Sequence, residues 1–235
     1  WETFADGVVG TVYAVAAATN GDVYVGGLIF TAGGVPVSRV ARWDGSAWGP
    51  LGAGVFGGSS LAQVTAMVVT PGGNVVVGGD FRSAGGVIAN SIASWDGNGW
   101  SAFGTGVNDE VLALTVLPGG DVVAGGLFTL AGGVTVNRLA RWNGTSWSAF
   151  GTGLSGAVRA LAVLANGDVV AGGNFVTAGG VTVNRIARWD GTTWNPIGSG
   201  FDGSVRALAV LENGDVIAGG SFATADGVPA ANIAR

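Results

Sequence analysis

The sequence predicts an all-β chain, a five-bladed β-propeller of four-stranded antiparallel blades, and three observations predict it. A unit of about 47 residues recurs five times along the 235 residues. Each unit holds four short apolar runs separated by Asn, Asp and Gly, the residues that accept tight-turn backbone angles. Nowhere does the apolar spacing follow the period of an amphipathic helix.

The unit is best seen in the fourth copy. Its first strand is the apolar run 158–164, ended by Asn166-Gly167-Asp168, whose first two residues tolerate positive φ and mark a tight hairpin. The second strand spans 169–175 and carries a double glycine. A longer Gly-rich loop leads to a third strand at 185–189, and Asp190-Gly191 turns the chain into a fourth at 194–198. The double glycine marks all five copies: Gly26-Gly27, Gly78-Gly79, Gly125-Gly126, Gly172-Gly173 and Gly219-Gly220. Paired tryptophans keep the same register at Trp43/Trp48, Trp95/Trp100, Trp142/Trp147 and Trp189/Trp194. The second copy lags by about five extra residues, which fall in the connection from Val55 to Gln63. Residues 117–163 and 164–210 are about two-thirds identical, the mark of duplication from one unit.

A single domain over 1–235 follows, with blades at 11–52, 63–104, 110–151, 157–198 and 204–235, the last joined by 1–5. Trp1-Glu2-Thr3-Phe4 aligns with Trp100-Ser101-Ala102-Phe103, an outermost strand, while Ile233-Ala234-Arg235 matches a third strand. The N-terminal strand is therefore expected to complete the last blade and cover sheet edges that would otherwise pair with other chains. A stretch of a longer array is the alternative.

Composition narrows the chemistry. Charged residues are 11% of the chain, against roughly 25% in an average soluble protein, and 46 glycines help fill the difference. Mean hydropathy is +0.49, yet Gly, Asn and Asp interrupt every apolar run well before the ~18 residues of a membrane span, so no membrane insertion is expected. No basic segment precedes an apolar one in the manner of a signal peptide. Cys and His are absent, and all ten basic residues are Arg. These absences exclude the ordinary zinc, haem and iron–sulfur ligand sets, a Cys–His pair, a Ser–His–Asp triad and a Lys Schiff base. A net charge of −5 argues against nucleic acid as a partner. No cofactor is expected.

The run Val170-Ala171-Gly172-Gly173 followed by Trp189 and Trp194 resembles the kelch motif, and the match extends over the whole chain. The fuller pattern is Asn-Gly-Asp-Val-x-x-Gly-Gly-x-Phe, then Ile-Ala-Arg-Trp-Asp-Gly-x-x-Trp. It is similar to kelch-type repeats of bacterial secreted proteins and fungal cortical cell-polarity markers, and the galactose-oxidase central domain has a related architecture. In the first copy Ile29 stands at the Phe position. The resemblance implies the propeller fold and an extracellular or cell-surface setting. It implies no single activity, because kelch propellers serve as adaptors, adhesins, lectins and oxidases. The oxidase chemistry needs His and a Cys-linked Tyr, which this chain lacks.

Each candidate site has a structural explanation beside it. The tryptophans could stack sugars, but a residue kept in every copy suits packing between blades; the outer-strand members Trp1, Trp48, Trp100, Trp147 and Trp194 are expected to be the more exposed. The double glycines lie inside strands with no helix after them, so close backbone approach explains them better than phosphate binding. Asp22, Asp121, Asp168 and Asp215, with Asn74 in the fifth place, form a set on the first tight turns; turn chemistry accounts for them, and no metal is assigned. Asn143-Gly144-Thr145 is a lone glycosylation triplet on a hairpin tip.

Loop asymmetry points to one end of the sheets. The first and third turns are tight, whereas the second loop and the interblade connection are longer and share the opposite face. That face carries Arg39, Asn90, Asn137, Arg138, Asn184 and Arg185. It also carries the start of each innermost strand, where the copies differ: Tyr13, Thr65, Leu112, Arg159 and Arg206. Tyr13, Arg39, Asn90, Asn137, Arg138, Arg159, Asn184, Arg185 and Arg206 are the candidate ligand-binding residues, since Arg and Asn donate directional hydrogen bonds. Asp109-Glu110 is the one adjacent carboxylate pair, and neighbours on a strand point to opposite faces, so no catalytic site is assigned. The expected function is non-enzymatic recognition of a protein or carbohydrate on the long-loop face by a monomer. The alternative is a structural or engineered repeat scaffold with no small-molecule ligand.

Overall fold

A computed structural model describes residues 3–58 and 61–235. The described residues form antiparallel sheets and no helix. They divide into two compact units, 1–111 with 144–146, and 112–143 with 147–235.

Four consecutive sheets have the predicted four-strand meander. The first orders Val8–Ala17, Val23–Ala32, Val40–Trp43 and Trp48–Pro50. The second orders Gln63–Val69, Val75–Asp80, Ile92–Trp95 and Trp100–Ala102. The third runs Val111–Val116, Val122–Gly126, Leu139–Trp142 and Trp147–Ala149, and the fourth Val158–Val163, Val169–Gly173, Ile186–Trp189 and Trp194–Pro196. A fifth sheet has Ser204–Val210, Val216–Ser221 and Ile233–Ala234. The N-terminal strand predicted over 1–5 begins with Trp1 and Glu2, outside the described residues, and Thr3–Ala5 are not in a strand.

The stretch expected as an irregular Gly-rich loop is instead a small hairpin in every copy. In the fourth sheet Thr177–Ala178 pairs with Val181–Thr182 across Gly179-Gly180. In the second copy Ser83–Ala84 also pairs with Val55–Phe56 from the connection that carries the extra residues. Two-residue strands are too short to show an alternating pattern, which is why the sequence conceals them.

In unit 1 the first sheet's Tyr24, Val40 and Leu51 pack on the second sheet's Val64, Met67 and Val77. In unit 2, Val123, Leu139 and Phe150 meet Val158, Val169 and Ala171, and Val170 and Ile186 meet Val205 and Ala218. Each buried Val or Leu contributes about 1.5–3 kcal/mol of transfer free energy. Phe81, Phe128 and Phe175 are fully buried, and Ile29, at the corresponding position of the first sheet, is buried just as completely.

The double glycines are the contact points of this stacking. A Cβ at Gly26 would lie 2.5 Å from Val64 Cγ1, and the same clash recurs between Gly125 and Val158 and between Gly172 and Val205. The second glycine faces its own sheet: a side chain at Gly173 would overlap the Ala157 carbonyl oxygen. At these positions neither glycine tolerates a side chain, which is the close approach the sequence implies, whereas a Cβ at Gly219 would meet nothing nearer than 3.9 Å.

The outer-strand tryptophans are the buried members of their pairs, contrary to the expected exposure. Trp48, Trp100, Trp147 and Trp194 are 5–8% exposed, while Trp95 and Trp189 are half-buried; Trp1 lies outside the described residues. The indole N–H donates to a backbone carbonyl, Trp48 to Phe4, Trp100 to Leu51 and Trp194 to Phe150, each at 2.9–3.1 Å. The ring lies over the loop glycine of its own sheet, Trp194 over Gly179. A buried indole needs this partner, and a backbone carbonyl 44–49 positions earlier in the chain supplies it.

Candidate functional site

At the tight-turn end, aspartates and arginines pair within four of the five sheets. Asp22, buried, accepts from Arg42 Nε at 2.8 Å and Nη2 at 3.0 Å, and from the Tyr24 hydroxyl at 3.3 Å. Asp121 pairs with Arg141, Asp168 with Arg188 at 3.4 Å, and Asp215 with Arg235 through Nε at 2.7 Å. The Arg42 hydrogen bonds hold the Asp22 carboxyl below its ordinary range, and burial raises the Tyr24 phenol. These aspartates answer to arginines within their own sheets. The second sheet has Asn74 in the Asp place and Ser94 in the Arg place. That joint replacement was present in the sequence, but reading the turns alone did not reveal it.

At the other end lie the predicted binding residues, and many are occupied by the fold. Asn90, Asn137 and Asn184 donate their side-chain amides at 2.9 Å to the carbonyls of Thr105, Thr152 and Ser199, so each clamps the connection leaving its sheet. Arg39 donates to the Ala62 and Ile29 carbonyls and stands 4.7 Å over the Phe30 ring. Arg185 donates to the Phe201 carbonyl at 3.2 Å. Arg39, Asn137, Arg138, Asn184 and Arg185 all have positive φ, a conformation costing non-glycine residues about 1 kcal/mol or more. Asn137 and Arg138 line a shallow polar cavity of about 350 Å³ with Thr152, Ser155 and Thr177.

The variable innermost-strand residues sit on β-bulges. The register shifts between Val12 and Ala14, Val64 and Ala66, Val158 and Ala160, and Val205 and Ala207 isolate Tyr13, Thr65, Arg159 and Arg206. A bulge re-aims the extra residue out of the ladder, so these positions escape the alternation that fixes their neighbours. Tyr13 is 49% exposed. Thr65 turns inward and donates to the Val111 carbonyl. Arg159 and Arg206 are exposed. Arg159 Nε donates to Asn174 Oδ1 at 2.5 Å, and Ser204 Oγ donates to the same oxygen at 3.1 Å. In unit 1, Gln63 donates to Glu110 at 3.1 Å.

Asn174, Ser204, Gln63 and Glu110 were not among the predicted residues. The signal for Asn174 was available: the position after the double glycine reads Leu28, Asp80, Leu127, Asn174 and Ser221, as variable as the bulge itself.

The small hairpins present apolar side chains at this same end. Ile88 is 75% exposed and Val228 63%, with Val134, Val176 and Val181 above 40%. Ser155 Oγ accepts from the backbone N–H groups of Val176 and Thr177, tying the base of one hairpin to the approach to Arg159.

Sheets of this meander, stacked through glycine contacts, define a β-propeller. A family model described as a domain of unknown function forming a β-propeller (DUF5122) matches residues 164–189. The chain is similar in fold to the WD40 β-propeller domain of Doa1, at TM-score 0.50 and 15% identity, covering 90% of this chain and 76% of that one. It is also similar to PorZ, a surface component of the type-IX secretion system of Porphyromonas gingivalis, at TM-score 0.56 and 15% identity, over 87% of this chain. YCF48 bound to a D1 peptide aligns at TM-score 0.51 and 12% identity over 90% of this chain. This chain spans 31% of PorZ and 61% of YCF48. No curated protein matches the sequence. No helix among the described residues is long and apolar enough to cross a membrane.

Proposed function

We propose that the chain is a non-enzymatic recognition propeller that presents its long-loop end to a protein partner. The observation that carries this reading is the exposed apolar side chains on the small hairpins, at the same end of their sheets as the bulged residues that differ from copy to copy. Apolar residues in solvent, next to polar groups free to vary, suit a protein or peptide surface. A glycan is the weaker partner, because the tryptophans that could stack a sugar ring are packed between strands. Propellers include the peptide-bound YCF48, which makes a peptide ligand reasonable for the fold without assigning one here.

Kelch-like kinship, five blades and a last blade completed by the N-terminal strand belong to the same proposal. Supporting it, Phe4 meets Trp43 edge-on at 5.6 Å and accepts from Trp48, as Phe150 meets Trp189 edge-on at 5.6 Å and accepts from Trp194. Deleting one whole repeat, 164–210, should then give aggregates or oligomers in size-exclusion chromatography. A well-behaved four-repeat monomer would refute the fivefold count.

The functional test is selection of displayed random peptides on the purified chain, with a glycan array run in parallel with and without calcium. Enriched peptides should lose binding to Val134→Ser and Val181→Ser variants and keep it in a Thr193→Ala variant at the tight-turn end. A reproducible family of related glycans with no peptide enrichment would replace this reading with a lectin. Silence in both would leave the structural scaffold, which the roughly two-thirds identity of 117–163 and 164–210 favours.

A further inference from the structure

Four arginines, Arg42, Arg141, Arg188 and Arg235, are ion-paired with aspartates at the tight-turn end. Arg159 and Arg206 are treated differently. They occupy the same bulge in the fourth and fifth sheets, on innermost strands packed against one another, and both are exposed. Neither makes an ion pair among the described residues. Two guanidinium groups on adjacent strands repel one another, and in a chain of net charge −5 they stand out against the overall charge. Asp202, two residues before Ser204, does not compensate them: its Oδ1 accepts from the backbone N–H groups of Ala223 and Thr224.

The neighbouring polar groups are oriented as donors. Asn174 Oδ1 accepts from both Arg159 Nε and Ser204 Oγ, a bridge between the fourth and fifth sheets. With its oxygen satisfied on one side, the Asn174 amide directs its NH₂ group elsewhere, and the outer edge of the Arg159 guanidinium keeps its terminal N–H groups. Exposed arginine forks on neighbouring innermost strands and an amide NH₂ beside one of them, with no ion-pair partner among the described residues, are complementary to a carboxylate, which takes two parallel N–H bonds.

Resting on the loop-end recognition reading and deepening it, we propose that Arg159, Asn174 and Arg206 bind a carboxylate side chain of an acidic peptide segment. A peptide is favoured over an acidic sugar by the immediate surroundings. Val176, two residues from Asn174, is 44% exposed, and no tryptophan among the described residues is exposed as a stacking platform. An acidic residue flanked by apolar ones fits that combination.

The test is fluorescence anisotropy on the intact chain with three probes: a labelled peptide alternating Glu and Val, its Gln-for-Glu counterpart, and a labelled galacturonate trimer. The Glu peptide is expected to bind about tenfold or more tightly than the Gln peptide, with affinity falling as salt rises. Arg159→Gln and Arg206→Gln should each weaken it about tenfold, while Arg188→Gln, at the tight-turn end, should leave it within about twofold. Equal affinity for the Glu and Gln peptides, abolished by Val181→Ser, would keep loop-end recognition and overturn the carboxylate site. Binding of the galacturonate trimer in place of the Glu peptide would overturn the peptide assignment. Failure of all three probes would overturn the site, while peptides enriched by selection and sensitive to Val181→Ser would still uphold the broader reading.

Discussion

Asn74 and Ser94 occupy, in the second sheet, the places that Asp22 and Arg42 hold in the first. An ion pair there is replaceable as a pair, which implies that either charge alone is unwelcome. Introducing Asn74→Asp together with Ser94→Arg should recover a coupling of up to about 1 kcal/mol in a double-mutant cycle read by urea unfolding. A coupling of zero would mean that this edge is too solvated for the pair to matter. Asp22 is the buried case. Its carboxyl is held below the ordinary value of 3.8, first by the Arg42 hydrogen bond, so its stabilisation is complete above about pH 4 and is lost as pH falls through the lower folded value. Asp22→Asn is expected to cost about 1–3 kcal/mol at pH 6, since Arg42 and Tyr24 lose a charged partner. The gap to the unmodified chain should narrow below pH 4. A gap unchanged between pH 6 and pH 3 would show that the carboxylate charge is not what Asp22 contributes.

At the scale of the element, the sequence revealed what turn chemistry controls and concealed what a neighbouring sheet controls. Asn166-Gly167 and Asp190-Gly191 placed all four strands of the fourth sheet within about two residues, because only such turns accept the required backbone angles. The small hairpin at 177–182 escaped, having too few residues for a period. Burial of Trp194 escaped too, because it depends on the Phe150 carbonyl, some 44 positions away. The candidate site was legible in the same partial way. Variation between copies located Arg159 and Arg206, whereas the clamp role of Asn137 and Asn184 needed the backbone they hold. The glycine contacts allow a direct check of sheet stacking. Gly172→Val should destabilise by about 1–3 kcal/mol through overpacking against Val205, whose Cγ1 would be 2.5 Å from the new Cβ. Adding Val205→Ala should restore part of the loss, measured by chemical unfolding. Strict additivity of the two changes would place Gly172 against something other than Val205.

For the molecule as a whole, the missing residue types govern its response to pH. With no His, Cys or Lys, and all basic groups Arg, the side chains that titrate are carboxylates on the acid side and tyrosines and arginines on the alkaline side. Tyr24 moves further from neutrality, because burial raises its phenol. On the acid side Asp44 is held at about 2 by the backbone N–H groups of Ala47 and Ser46, and Asp190 is lowered by those of Thr193 and Thr192. Groups with depressed folded pKa values stabilise above their unfolded values and stop doing so as they protonate, so their loss begins near pH 4 and continues downward. Stability should therefore form a plateau from about pH 5.5 to 8.5, followed by a fall below about pH 4. Thermal unfolding followed by circular dichroism should show midpoints within about 3 °C of one another across that plateau. A midpoint that moved by some ten degrees between pH 6 and pH 8 would require a titrating side chain that the composition does not contain, and would point instead to the chain's α-amino group or a pH-dependent change of association state.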